Sequence, residues 1–201
     1  MSEVTICNLA LSHIGNKADV TNINPPDQSA EARKCAVFYP MARDFALAKH
    51  HWSFAKRTIA LNDLGSPPKG WAYRYGTPTL MIKPVKVTVS GFDLPEPFDL
   101  EGDDTSGRVI LTNAAQANLT YIKVITDTTV FPPLFELGVS QILASFLAGS
   151  IAEKANLADS WLNKGLLTLS MAATTDANSS KVSQVKQNRR DYVPAAIRAR
   201  K

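Results

Sequence analysis

Two adjacent histidines, His50 and His51, are the first side chains whose type could support chemistry, as metal ligands or as a general base. They lie in the stretch ARDFALAKHHWSFAKR, after an apolar helical pattern. Neighbouring positions on a helix point about 100° apart, so the two imidazoles do not share a metal ion as i, i+4 pairs do. His13 could join them only through tertiary folding. We therefore expect a polar helix end at the negative end of the helix dipole, and no metal ligand.

A cluster of acidic residues in the stretch DLEGDDTSGR could bind calcium through carboxylate oxygens. The residues that suggest such a site are Asp99, Glu101, Asp103 and Asp104. In a calcium loop of the EF-hand type, the sixth residue is glycine and the twelfth is glutamate. Counting from Asp99, Gly102 is the fourth residue and Ile110 is the twelfth, so the pattern does not match. We expect a solvated hairpin loop, with a loose oxygen-ligand site as the alternative.

The residues that could act in nucleophilic or acid–base catalysis have no partners that the sequence identifies. Cys7 and Cys35 lie on apolar faces of helical patterns, which favours small buried side chains over a reactive thiolate or a disulfide. The sequence contains no nucleophile elbow, phosphate-binding loop or zinc-protease motif. Two carboxylate pairs could act as in glycosidases, namely Glu31 with Asp44 and Glu96 with Asp99. We predict no catalytic residue and no cofactor.

The basic charge of the chain is concentrated at its C-terminal end. Of 201 residues, 22 are lysine or arginine and 18 are aspartate or glutamate, which gives a net charge of +4. From position 181 onward the basic residues are Lys181, Lys186, Arg189, Arg190, Arg198, Arg200 and Lys201, and the acidic one is Asp191. The sequence has no apolar run long enough to span a bilayer and no signal-peptide pattern at its N-terminus. We expect no membrane partner.

The N-terminal third of the chain has two helical patterns, and a β-rich stretch follows them. The first helix is predicted to begin at the capping residue Ser2 and to end at Gly15. The second begins at Ser29 and contains Pro40, where we expect a kink. Alternating and β-branched runs then predict strands from about residue 52 to 126. Pro84 lies within one run and indicates an edge strand or a break.

Two further helices are predicted after the β-rich stretch, one opening at Pro132–Pro133 and one spanning 158–174. The apolar stripe of the first contains Leu134, Leu137, Ile142, Phe146, Leu147 and Ile151, and its small residues Ala144, Ser145, Ala148 and Gly149 would allow close helix contacts. The buried side of the second contains Trp161, Leu162, Leu166 and Leu169.

These patterns predict an α+β fold, with an antiparallel helical bundle, a β-rich insertion and an extended C-terminal arm. The helical domain would comprise residues 1–51 and 131–176, and the insertion residues 52–130. Residues 177–201 are small, polar and basic for most of their length, which predicts a flexible arm. The organisation and the missing catalytic motifs favour an interaction protein.

Five segments form a recognisable series: ICNLALSHIGN, SAEARKCAVFYPMARDFALAKHHWSFAKRTIAL, WAYRYGTP, RVILTN and LTYIKVITDTTVFPPLF. The most specific part is the string S-x-E-A…C…Y…R-D…L…H-x-W-S-F-A. In this order, across about residues 3 to 155, the series resembles the podovirus head-to-tail adaptors, the tail tubular protein A family. Members commonly have proline where this chain has His51, and a Leu-Pro-x-Asp-Cys run where it has Gly76-Thr77-Pro78-Thr79-Leu80.

The resemblance implies a structural protein of the virion, made in the cytoplasm of the bacterial host and placed at the portal vertex and tail. Adaptors of this family have a helical domain with a β-rich extension and assemble as a homo-oligomeric ring of twelve copies below the portal protein. They join the portal to the tail nozzle protein, extend the DNA channel, and help to retain and eject the genome. Genomic DNA passes through without sequence-specific binding. The resemblance carries over no catalytic, metal or cofactor residue.

The stretch with the paired histidines is interpreted as the joint between the long helix and the β-rich part. Arg43 and Asp44 lie near the expected kink, and Trp52 and Phe54 would pin the first extended segment to the helices. Aromatic side chains bury a large area and fix geometry, which suits a stiff joint.

Three interpretations of the basic C-terminal segment are compatible with its sequence. It could be a solvated tail, or an arm that binds nucleic acid phosphates. The resemblance favours the third, a peptide that folds on binding to the portal protein. The residues expected to dock are Arg189, Arg190, Tyr192, Val193, Ile197, Arg198 and Arg200. Two other functions stay open as alternatives, a tail-associated peptidoglycan hydrolase and a DNA-binding module that uses this segment.

Overall fold

The computed structural model describes the backbone of residues 1–151 and 155–191, with the side chains of residues 1–150 and 156–179. Four helices are present in this part of the chain: α1 (Glu3–His13), α2 (Ala30–Lys49), α3 (Pro133–Ile151) and α4 (Ala155–Asp191). The strands between α2 and α3 are β1 (Lys56–Ala60), β2 (Tyr73–Gly76), β3 (Met81–Val89), β4 (Pro95–Glu96), β5 (Phe98–Asp103), β6 (Gly107–Thr112) and β7 (Ala117–Lys123). A short 3₁₀ helix, Thr128–Val130, precedes α3.

The predicted starts of the first two helices are confirmed. The side chain of Ser2 accepts a hydrogen bond from the backbone N–H of Thr5, and that of Ser29 accepts one from Ala32. Each serine therefore satisfies one of the N–H groups that a helix leaves free in its first turn. Helix α2 continues through Pro40, as the pattern on both sides of that proline requires.

Helix α3 is the centre of the helical layer, because it packs against α1, α2 and α4. Its contact with α4 depends on two glycines. A Cβ atom added to Gly138 would lie 2.6 Å from Cδ2 of Leu169, and one added to Gly165 would lie 2.7 Å from Cδ1 of Ile142. Both distances are shorter than van der Waals contact, so glycine is what lets the two helices approach this closely.

The predicted apolar stripe of α3 is correct in part. Ile142 and Leu147 are buried, but Leu134 is exposed and its neighbour Phe135 is buried in its place. The expected close contact at Gly149 is also wrong, since nothing lies within 4 Å of a Cβ built there. Both errors have one cause: the sequence pattern does not fix which side of the first and last turns meets the neighbouring helices.

Seven strands, all within the described part of the chain, form two antiparallel sheets. One has the order β1-β7-β3-β4 and the other β2-β6-β5. Side chains from both sheets share a second core, which includes Tyr75, Val87, Ile110 and Leu119. The helical layer and one end of the first sheet share the main core, which Ile122 of β7 joins. The coarse prediction of an α+β fold is therefore confirmed.

The sequence predicts an edge strand or a break at Pro84, and this proline lies in β3. It pairs with Tyr121 of β7 on one side, and the register shifts between Pro84 and Lys86. The short strand β4 pairs only with Val87 and Thr88, so β3 has an open side at Pro84. This proline lacks an N–H group, and at that position no strand of the described residues needs one.

The acidic stretch forms the hairpin between β5 and β6, as predicted. Asp103 accepts a hydrogen bond from the backbone N–H of Ser106 at 3.1 Å, and Gly107 has a φ of 74°. Hydrogen bonds from Ser106 and Thr105 hold the pKa of Asp103 below its usual value. The carboxylate therefore stabilises the turn, which explains its position without a bound cation.

The expectation of an extended arm from residue 177 is not confirmed, because α4 continues as a helix to Asp191. The sequence between Gly165 and Pro194 has no glycine or proline to interrupt a helix. Low hydrophobicity, the basis of the prediction, opposes packing but does not oppose a helix. The predicted bundle and insertion remain interpretations of this arrangement.

Candidate functional site

Trp52 is the centre of the joint between α2 and the first sheet. Its side chain is fully buried, and its indole N–H donates to the carbonyl of Ala46 at 2.9 Å. Ala46 lies in the last turn of α2, where carbonyls have no partner within the helix. The indole therefore fills the core and satisfies an otherwise unpaired acceptor at the same time.

Three phenylalanines complete an aromatic cluster around Trp52. The Trp52 ring lies 5.9 Å from Phe54 and 5.0 Å from Phe135, measured between centroids. Phe131 lies 5.7 Å from Phe54 and 5.0 Å from Phe135. All four pairs are tilted or edge-on, the arrangements that aromatic quadrupoles prefer. The cluster fastens the segment before β1 to the start of α3.

Lys83 of β3 makes a second contact to the end of α2 that the sequence did not indicate. Its ammonium group donates to the carbonyl of Ala48 at 2.7 Å. Partial burial lowers the pKa of Lys83. A cation at a helix C-terminus is favourable because the carbonyls there carry partial negative charge. The end of α2 is thus bound both by Lys83 of the first sheet and by Trp52 of the segment that follows the helix.

Arg43 and Asp44, the other two residues assigned to the joint, form a local ion pair. Nε of Arg43 lies 2.8 Å from Oδ1 of Asp44, and Arg43 is buried. Among the residues whose side chains are described, no hydrogen bond, ion pair or ring contact links this pair to Trp52 or Phe54. The structure therefore brings the four predicted residues together in two separate pairs.

Asp176 of α4 binds the joint from the far end of the sequence. It accepts hydrogen bonds from the backbone N–H of Ser53, at 3.0 Å, and from the Ser53 hydroxyl. Nε2 of His50 lies 3.6 Å from the same carboxylate. No sequence pattern indicates this contact, because the partners are 123 positions apart and each is a common surface residue type.

The combination of serine, histidine and aspartate in this group invites comparison with a catalytic triad. A triad needs the histidine between the other two, so that its imidazole takes the proton of the serine. Here the Asp176 carboxylate lies between Ser53 and His50 and accepts the hydroxyl hydrogen bond itself. The arrangement can fasten α4 to the end of α2, but it cannot activate Ser53 as a nucleophile.

His13 does not join the other two histidines. Its ring stacks on Trp161 of α4, with 4.3 Å between centroids, and its Nε2 lies 3.3 Å from the hydroxyl of Ser140. Burial, together with the charge of Lys164, lowers the pKa of His13. Within the side chains that the structure describes, no group of three or more His, Cys, Asp or Glu residues could hold a metal ion.

The two cysteines lie in the helical core, as small buried side chains. Both are fully buried and both are free thiols. The neighbouring Cys35 thiol and burial raise the pKa of the Cys7 thiol. Thiols that are buried in an apolar core are inaccessible to substrates, so this pair contributes packing between α1 and α2.

None of the residues predicted to dock on a portal has a described side chain, because all seven follow residue 179. Arg189 and Arg190 lie in the backbone of α4, and their side chains are not among those described. The other five, Tyr192, Val193, Ile197, Arg198 and Arg200, lie outside the described residues.

Comparison with models of known protein families finds no match to this chain, and comparison with curated proteins finds none either. In the described part of the chain, no helix is both long enough and apolar enough to cross a membrane.

Proposed function

We propose that this protein is a head-to-tail adaptor of a short-tailed bacteriophage, a structural ring subunit that joins the portal protein to the tail nozzle protein. In this role a ring, expected to contain twelve copies, extends the DNA channel below the portal and helps to retain and eject the genome. DNA passes through the ring without sequence-specific binding. The protein would function in the virion after synthesis in the bacterial cytoplasm.

One observation carries the proposal, the place in the fold of the string that resembles the adaptor family. Four of its most specific residues, Cys35, Tyr39, Arg43 and Trp52, are all buried in or beside the helical core. A string of buried residues specifies how α2 packs and how the chain enters the first sheet. The resemblance therefore concerns architecture, which is the property that a structural adaptor needs.

The geometry of the joint supports a structural role of this kind. A subunit between two rings must keep a fixed angle between the surfaces that contact each ring. The aromatic cluster at Trp52, the Lys83 contact to α2 and the Asp176 contact to Ser53 fix the first sheet, α2 and α4 to one another. Packed aromatic side chains and closed helix ends leave little freedom for a hinge.

The experiment that tests the proposal is native mass spectrometry with electron microscopy of the purified chain, alone and mixed with rings of the portal protein from the same phage. We expect a monomer that assembles into a ring stacked on the portal. A chain that never binds the portal at any ratio would refute the adaptor role. A peptidoglycan zymogram of the same preparation checks the hydrolase alternative, and we expect no clearing.

A further inference from the structure

Antiparallel sheets end in edge strands whose unpaired N–H and C=O groups can pair with another chain. The two sheets have such edges at β1, β2, β5 and the β3–β4 side. The edge at β2 is already covered, because the backbone of Leu64 donates to Arg74 at 2.8 Å and that of Gly76 donates to Asn62 at 3.2 Å. The chain before β2 therefore protects this edge.

The β3–β4 edge is blocked by its own residues. Pro84 of β3 has no N–H group to offer, and the register shift beside it distorts the strand. The strand β4 has two residues, and the first is Pro95. Short strands, bulges and prolines are the devices by which proteins prevent pairing at an edge. Among the strands described, this leaves β1 and β5 as the open edges.

Both open edges are accessible, and their charges are opposite. All five residues of β1 are exposed, including Lys56 and Arg57. On β5, Asp99 and Glu101 are exposed. Among the side chains that the structure describes, none of these four charged residues takes part in an ion pair. Arg57 donates to the carbonyls of Phe54 and Lys56, and Asp99 accepts from the backbone N–H of Leu100, so these contacts would give way when another strand pairs there. The molecule thus has a basic edge on one sheet and an acidic edge on the other.

The two strands also match in length and in the pattern of their faces. β1 has five residues and β5 has six. Side chains alternate between the two faces of a strand, so a register that places Ile59 beside the half-buried Leu100 puts Lys56 on the face of Asp99 and Glu101. The same register covers Ile59, which is 37% exposed in the single chain.

We infer that β1 of one copy pairs with β5 of the next copy, so that the four-stranded sheet of one subunit continues into the three-stranded sheet of its neighbour. The occupant of each open edge is therefore a second copy of this chain. Because the two edges are different surfaces, the contact is head-to-tail, and repeating it around an axis closes a ring. This inference rests on the proposed ring function and names the contact between ring subunits.

The test uses two charge-reversed full-length chains. One carries Lys56→Glu and Arg57→Glu, and the other carries Asp99→Lys and Glu101→Lys. Each chain alone presents two edges of like charge. At protein concentrations high enough for the unmodified monomer to begin to associate without the portal, we therefore expect the self-association of each variant to be weaker than that of the unmodified chain. In an equal mixture, every contact joins an edge of one charge to an edge of the other. We expect association in the mixture to be stronger by about tenfold or more than in either chain alone, measured by sedimentation velocity.

A control pair separates strand pairing from general attraction between oppositely charged proteins. It carries the same charge changes at exposed positions away from both strands: Lys17→Glu with Lys69→Glu, and Asp19→Lys with Asp159→Lys. We expect no comparable gain when these two chains are mixed. A mixture of the strand variants that associates no better than its components, or a control mixture that gains equally, would overturn the inference.

The portal separates this inference from the proposed function. The sedimentation assay contains no portal protein, so its result does not depend on whether the chain is an adaptor. If the chain forms rings on the portal regardless of the β1 and β5 charges, the adaptor function is supported and the β1–β5 interface is refuted. If the chain shows the expected pairing but does not bind the portal, the interface is supported and the adaptor function is refuted.

Discussion

Trp52 is the residue at which packing and a hydrogen bond coincide, so its replacement tests the joint directly. Trp52→Ala removes a fully buried ring and leaves the Ala46 carbonyl without its donor. We expect a loss of about 3 to 5 kcal/mol in the free energy of unfolding, measured by chemical denaturation. Trp71→Ala is the matched control, since Trp71 is only half-buried and lies in a loop. Equal losses in the two variants would argue against a special role for Trp52.

The lowered pKa of His13 predicts that the free energy of unfolding depends on pH. Because burial and Lys164 lower its pKa in the folded state, the unfolded chain, with an ordinary histidine pKa of about 6.5, takes up the proton first as the pH falls. The stabilisation is therefore complete above pH of about 6.5 and is lost below it. We expect His13→Gln to flatten the decline in unfolding free energy between about pH 7 and 5. A decline as steep as that of the unmodified chain would assign the effect to other groups, such as His51, whose pKa is also lowered.

The limits of sequence analysis at the scale of single residues are clear in the joint. Trp52 and Phe54 are predictable from sequence, because aromatic residues directly after a helix bury a large area. Lys83 and Asp176 are not, because a lysine in a strand and an aspartate in a polar stretch are ordinary surface residues. Their roles depend on which helix end or loop the fold brings beside them. Local sequence does not indicate which distant segments become neighbours in the fold.

At the scale of elements, the contact between α3 and α4 depends on Gly165. Alanine there gains helix propensity, worth up to about 1 kcal/mol, but its Cβ would lie 2.7 Å from Cδ1 and 3.1 Å from the backbone nitrogen of Ile142. We expect steric overlap to dominate and Gly165→Ala to destabilise the protein by about 1 to 3 kcal/mol in thermal unfolding.

Gly149→Ala is the matched control for this contact. The position is exposed, it lies in α3, and nothing is within 4 Å of the added Cβ. We expect a small gain in stability from helix propensity alone. A gain in both variants would mean that the helices are not in close contact at Gly165.

The element assignments from sequence were good where a pattern was strictly local. Serine caps located the starts of α1 and α2, and alternation located β6 and β7. The continuation of α4 past residue 176 does not follow from hydrophobicity, because that stretch is polar; it follows from the absence of glycine and proline between Gly165 and Pro194. Strand order was not predictable, since β1 pairs with β7 across more than half of the β-rich stretch.

At the scale of the whole molecule, the C-terminal residues allow a test of portal docking. Deleting residues 192–201 removes the expected apolar anchors and leaves α4 intact. We expect the truncated chain to unfold at the same temperature as the full chain and to lose attachment to portal rings in native mass spectrometry. Replacing only Arg198 and Arg200 by glutamine separates charge from apolar anchoring. Full attachment of the truncated chain would reject docking through this segment.

The central position of α3 also has a consequence for how the chain folds. Helices α1 and α2 contact each other far less than α3 contacts its neighbours, and the whole sheet region is synthesised before α3. Closing a core across so long a stretch of chain is slow, whereas the hairpin of β5 and β6 needs only neighbouring residues. We therefore expect the apolar faces of the two N-terminal helices to stay uncovered during synthesis until α3 leaves the ribosome. A chaperone that binds such faces would act in that interval.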